Sequence, residues 1–201
     1  MAARDIPPRS DNMIPENTQV SVGIFGDNLT CINWLNGNWA CKDRNCTEIV
    51  AQAQRRVATW WARGQAVPMV QSSDWAGHVF REHNQEADKL AHRGRQGIER
   101  NLINPKHFPM PQIAHVRAHF DGSCGNETDR AGGGWVIWVQ PRSKYGPRAW
   151  VRLAERSFPV HASYSTCAEL LSLSDCIRGL DHVLTDGQVK FATGTTSRRK
   201  R

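Results

Sequence analysis

The run His115-Val116-Arg117-Ala118-His119-Phe120 alternates polar and apolar residues, then stops on Asp121-Gly122-Ser123. Alternation with a period of two marks a half-buried strand. Ala131-Gly132-Gly133-Gly134-Trp135-Val136-Ile137-Trp138-Val139 reads as a second strand. Together they commit this part of the chain to a sheet. A carboxylate at a strand end rests on a rigid support at the edge of a core, a good place to hold a metal ion. The other reading is an Asp-Gly turn that closes a hairpin. Three more acids, Asp27, Asp88 and Glu169, decide how much weight Asp121 carries.

Composition bounds the rest. The 201 residues suffice for one ordinary domain with tails. Hydrophobic residues make up 39%, enough for a packed core. The formal net charge of +7 and the pI of about 9.4 favour a polyanionic partner. No run of about 18 apolar residues is present, so no membrane span is expected. Met1 to Pro15 lacks the apolar centre of a signal peptide. The expectation is an intracellular protein, cytoplasmic or nuclear. Its six cysteines then read as free thiols. Cys41 and Cys46 lack the spacing of a zinc finger.

In chain order, residues 1–17 read as a disordered leader. Gln19 to Phe25 alternates into a strand that runs into Gly26-Asp27-Asn28, again an acid just past a strand. Leu29 to Asn36 reads as a short helix stopped at Gly37. Asn38 to Cys46 reads as a loop, and Thr47 as the cap of a helix reaching Arg63. Ile49, Val50, Ala53, Val57, Trp60 and Trp61 recur there at helical spacing. Arg55, Arg56 and Arg63 lie between them, as a solvated face or as phosphate contacts. Asn84 can cap a helix whose Ala87, Leu90 and Ala91 face inward; Asp88 near its start would also suit the helix dipole. Residues 95–113 read as a linker. Ala149 to Val160 reads as a third strand of the second half. A helix opens at Ser165, with Leu170, Leu173, Ile177, Leu180 and Leu184 as its buried stripe. Within it, Thr166-x-x-Glu169 matches a capping box. Residues 187–201 form a basic tail ending Arg198-Arg199-Lys200-Arg201.

Four segments together resemble the ribonuclease H type 1 family: Phe120-Asp121-Gly122-Ser123, Cys167-Ala168-Glu169-Leu170-Leu171, Phe25-Gly26-Asp27-Asn28, and His78 through Asn84, Ala87, Asp88, Leu90 and Ala91. In that family the segments occur in another order: the half with Asp-Gly-Ser and Ala-Glu-Leu comes first. The resemblance therefore implies an α/β fold, an RNase H-like mixed five-stranded sheet flanked by helices, in circularly permuted order. Residues 18–94 would be the family's C-terminal half and 114–186 its N-terminal half. The join is feasible: about 20 residues span up to roughly 70 Å, against a radius of gyration of about 15 Å. Gln188 to Thr196 faintly resembles the strand leading to Asp27, with Thr195 in place of the acid. The halves could thus pair within one chain, as a monomer, or between chains, as a half-exchanged dimer.

The resemblance also implies a chemistry. Asp121, Glu169, Asp27 and Asp88 would hold two Mg²⁺ ions, with Mn²⁺ as a substitute, and hydrolyse the RNA strand of an RNA–DNA hybrid. Asp121 would bridge the ions, Glu169 and Asp27 would serve the leaving-group side, and Asp88 the water. His78 would assist proton transfer or product release, or else make a structural hydrogen bond at a strand end. Gly122, Ser123, Cys124, Asn28 and Asn84 would read the minor groove and its 2′-hydroxyls. The reading from another functional class is an inactive nucleic-acid-binding module of the same fold.

Overall fold

The computed structural model describes residues 19–70, 74–104, 112–125, 130–142 and 149–186. The expected leader, the basic tail and the Gln188–Thr196 segment lie outside the described residues.

The alternating strand beside Asp121 is β5 (Ile113–Cys124). β6 (Ala131–Pro141) pairs antiparallel with it, and β6 pairs antiparallel with β7 (Val151–Val160). On the other side of β5 lies β1 (Val20–Gly26), parallel and in register from Ser21↔His115 to Phe25↔His119. Strands from the two halves of the chain therefore meet in one sheet, and Val22, Ile24, Val116 and Ala118 along the seam are fully buried.

The sheet has seven strands, not the expected five. Two features account for the difference. The edge strand beside β1 is broken in two: β2 (Ala66–Pro68) pairs with its first half and β3 (Ala76–His78) with its second, both parallel. The other addition comes from the expected linker. Arg100–Ile103 forms β4, an edge strand antiparallel to β7. Its side chains are all exposed, which leaves no alternation of burial to betray it in the sequence.

Four helices flank the sheet. α1 (Leu29–Asn36) is capped by Asn28, whose side chain accepts hydrogen bonds from the Thr30 and Cys31 amides, and it ends on Gly37 in the left-handed conformation. α2 (Arg44–Ala62) starts a turn earlier than expected. Asp43 is its cap, accepting from the Asn45 amide at 2.8 Å, while the Thr47 hydroxyl donates to the Asp43 carbonyl. α3 (Gln85–Arg95) lies on β5, β6 and β7, and α4 (Ser165–Asp186) on β5 and β6, with α2 against α4. The expected stripe of α4 is buried throughout. Arg55 pairs with Glu48 and Arg56 with Asp181, so these arginines form a solvated, ion-paired face.

The close approach of α3 explains two of the three glycines in the triplet, while Gly133 makes room for the Phe158 ring. A Cβ on Gly134 would sit 2.3 Å from the Ala91 amide nitrogen, and one on Gly132 would sit 2.3 Å from the Ala91 carbonyl oxygen. Only glycine lets the helix backbone rest on β6 there. That contact fixes the height of α3 over the sheet, and with it the position of its first turn.

All six cysteines are free thiols. No described helix is long and apolar enough to cross a membrane.

Candidate metal centre

Asp27 follows directly on β1, and Asp121 lies near the end of the parallel neighbour β5. Parallel pairing puts both carboxylates at the same edge of the sheet. Glu169 comes from the first turns of α4, which β5 admits because Gly122 has no side chain: a Cβ there would lie 2.2 Å from the Glu169 amide nitrogen. One carboxylate oxygen from each of Asp27, Asp121 and Glu169 falls within 4.8 Å of the others. Among the described residues this is the one group of His, Cys, Asp or Glu side chains placed to share a metal ion.

The capping-box reading of Glu169 is excluded by the same geometry. Thr166 lies inside α4, one residue past its start, and the amides of Cys167 and Ala168 both bond the Tyr164 carbonyl. The Glu169 carboxylate turns instead to Asp121, and its Oε2 is buried without a hydrogen-bond partner.

Electrostatics make the cluster costly without a cation. Asp121 and Glu169 are buried, and Asp27 is half-buried. Burial first, then the charges of Asp27 and Asp88, push the Asp121 carboxyl up to about 8. Burial and the charge of Asp121 push Glu169 well above the usual carboxylate range, and the Gly122 amide opposes this only in part. Three hard oxygen ligands, an orphaned buried oxygen and mutual repulsion together fit a divalent cation such as Mg²⁺.

Asp88 stands at the rim. Its charge reaches Asp121, but its carboxylate is outside the close group and forms an ion pair with Arg81 at 3.1 Å. Arg81 lies in the 3₁₀ turn Arg81–His83 that leads into α3, and it also feels the charges of Asp121 and Asp27. Nothing in the sequence distinguishes it from any other loop arginine.

His78 is exposed at the end of β3, with Nε2 3.2 Å from the Asp27 carbonyl oxygen and its ring edge-on to Phe80. The strand-end hydrogen bond foreseen for it is thus present, and it lies beside the acids. Asn84 precedes α3 but makes no side-chain cap. It is buried, and its amide donates to the Phe120 carbonyl at 2.9 Å and to Asp27 Oδ1 at 3.4 Å. Asn84 therefore ties β1, β5 and α3 together beneath the acids. Asn28 spends its side chain capping α1, and the Cys124 thiol points at the Gly125 and Ala162 carbonyls. Of the residues expected to read a groove, Ser123 is half-buried, and its hydroxyl makes no hydrogen bond among the described residues.

A search of protein-family models, of curated proteins and of solved structures finds no match to this chain.

Proposed function

We propose that this chain is a Mg²⁺-dependent ribonuclease of the RNase H type, with its halves in permuted order, acting on the RNA strand of RNA–DNA hybrids. The observation that carries the reading is the convergence of Asp27, Asp121 and Glu169, brought from distant parts of the chain to within 4.8 Å. Buried carboxylates that repel one another destabilise a fold unless they serve a ligand. Divalent ions bound there would activate water and stabilise the leaving oxygen of a phosphodiester.

In this reading Asp121 sits at the centre of the cluster and Asp27 and Glu169 flank it. Asn84 holds Asp27 in place through its amide. His78, at the mouth of the site, is available to move a proton. Asp88 completes the ligand set once it leaves Arg81. The unbroken β1–β5 pairing supports the permuted order, because it lets the two halves act as one sheet.

A labelled RNA–DNA hybrid, incubated with Mg²⁺, tests this. The protein is expected to cut the RNA strand, and Asp121→Asn to lower the rate by at least on the order of 100-fold. Equal cutting by the two proteins would remove the site. The inactive binding module is favoured by one observation, the Arg81–Asp88 ion pair, which occupies the fourth acid. Hybrid binding without cleavage, at any Mg²⁺ concentration, would select it.

A further inference from the structure

The sheet face that carries Asp121 continues down β5 through His119, Arg117 and His115. α3 covers the end nearest Asp121. Beyond it the face carries a run of rings and guanidinium groups, each half-buried. Phe25 lies 5.3 Å from His119, and His119 lies edge-on 5.2 Å from Trp138. The Arg117 guanidinium sits between two indoles, 5.0 Å from Trp138 and 4.6 Å from Trp150. Along β5 the patch from His115 to His119 is about 14 Å long at the usual strand rise.

Two features of this patch are not those of an ordinary solvated sheet. Arg117 forms no ion pair among the described residues, although burial between the indoles lowers its pKa and leaves its Nε unpartnered. The charge of Glu86 reaches this guanidinium, but Glu86 itself pairs with Arg152, so Arg117 has no direct carboxylate partner among the described residues. The patch also opens into a cavity of about 440 Å³, lined by Arg117, His119 and Trp138 on the sheet side and, on the other, by Asn84, Ala87 and the carboxylates Glu82 and Glu86, of which Glu86 pairs with Arg152. Asn84 Oδ1 is buried without a partner.

We propose that this ledge forms a second nucleic-acid site, one that holds a single-stranded segment by stacking its bases on Trp138 and Trp150 and contacting its phosphates with Arg117. Every base has a flat π face, and aromatic platforms flanked by cations hold single strands without regard to sequence. An acidic peptide gains the cation but not the stacking, because the negative face of an indole repels a carboxylate. The inference concerns the sheet face alone and does not require the acids to cleave anything.

The test uses the full chain in EDTA, so that the acidic centre plays no part, and a fluorescent oligo(dT) of about 12 nucleotides, within the usual site size. The wild-type protein is expected to bind it. Trp138→Ala and Trp150→Ala should each weaken binding roughly 5- to 150-fold, while Trp138→Phe keeps most of the affinity. A 5-iodouracil oligonucleotide cross-linked by light should map to the peptides containing Trp138 or Trp150. That readout needs no variant and so does not depend on the folding of any. No binding by the wild-type chain, alanine variants that bind as well as it does, or cross-links confined to other peptides would each overturn the proposal. So would displacement by polyglutamate at equal charge. None of these results bears on hybrid cleavage, which is measured separately with Mg²⁺.

Discussion

At the scale of the residue, Asp121 is a carboxyl group held where its charge is unwelcome. Its folded pKa of about 8 stands above its ordinary value of 3.8. The unfolded chain loses this proton first as pH rises, so the fold is destabilised progressively between these two values and no further above them. Below about pH 3.8 the site costs nothing on this account. The metal-free protein is therefore expected to melt at a lower temperature at pH 8 than near pH 5. Mg²⁺ should restore the midpoint at pH 8 and change it little near pH 5, where protons compete for the same oxygens. Thermal unfolding followed by circular dichroism checks this; a midpoint at pH 8 that ignores Mg²⁺ counts against the metal centre. Arg81 invites a second substitution. Its ion pair with Asp88 is exposed on both sides and contributes little to stability, roughly 0–1 kcal/mol. Arg81→Ala should leave the melting temperature nearly unchanged while lowering the Mg²⁺ concentration needed for half-maximal cleavage. An unchanged Mg²⁺ requirement would show that Arg81 does not compete for Asp88. The resemblance of the motifs around them singled out four acids, Asp27, Asp88, Asp121 and Glu169, and three of these, all but Asp88, meet in space. The Arg81 contact was not legible in the sequence, because an ion pair between loop and helix leaves no period or motif behind.

At the scale of the element, glycines set the distances. Gly122 allows the first turn of α4 to rest on β5, and a methyl group there would meet the backbone of Ala168 and Glu169 at 2.4 and 2.2 Å. Backbone cannot rotate away as a side chain can. Gly122→Ala is expected to destabilise the protein by roughly 1–3 kcal/mol and to weaken Mg²⁺ binding about 10- to 100-fold, because Glu169 moves with the helix. Denaturant titration and calorimetric Mg²⁺ titration separate the two effects; loss of stability with Mg²⁺ affinity intact would mean that Glu169 is not a ligand. The main strands and helices were legible because their apolar residues recur at periods of two or 3.6 against a clear polar background. Leu29–Asn36 matches its expected bounds residue for residue. β4 escaped because an exposed edge strand has no buried face to pattern it. The start of α2 was misplaced because Asp43 and Thr47 are both good caps, and only the fold selects between them.

At the scale of the whole molecule, the site is assembled within one chain across the β1–β5 seam. We therefore expect a monomer near 22.6 kDa whose specific activity does not change on dilution. Light scattering and a dilution series check this, and activity that falls with the square of concentration would point to exchanged halves. Position along the chain and the local pattern of apolar residues established most of the segments that form strands and helices, and placed Asp27 just past one strand and Asp121 near the end of another. Both are properties of neighbouring residues, and they can be read without a fold. The distance between Asp27 and Glu169, the orphaned oxygen of Glu169 and the raised pKa of Asp121 are not of that kind. They arise only when β1 packs beside β5 and α4 closes over Gly122, because desolvation and charge repulsion depend on separation in space, on which sequence order is silent.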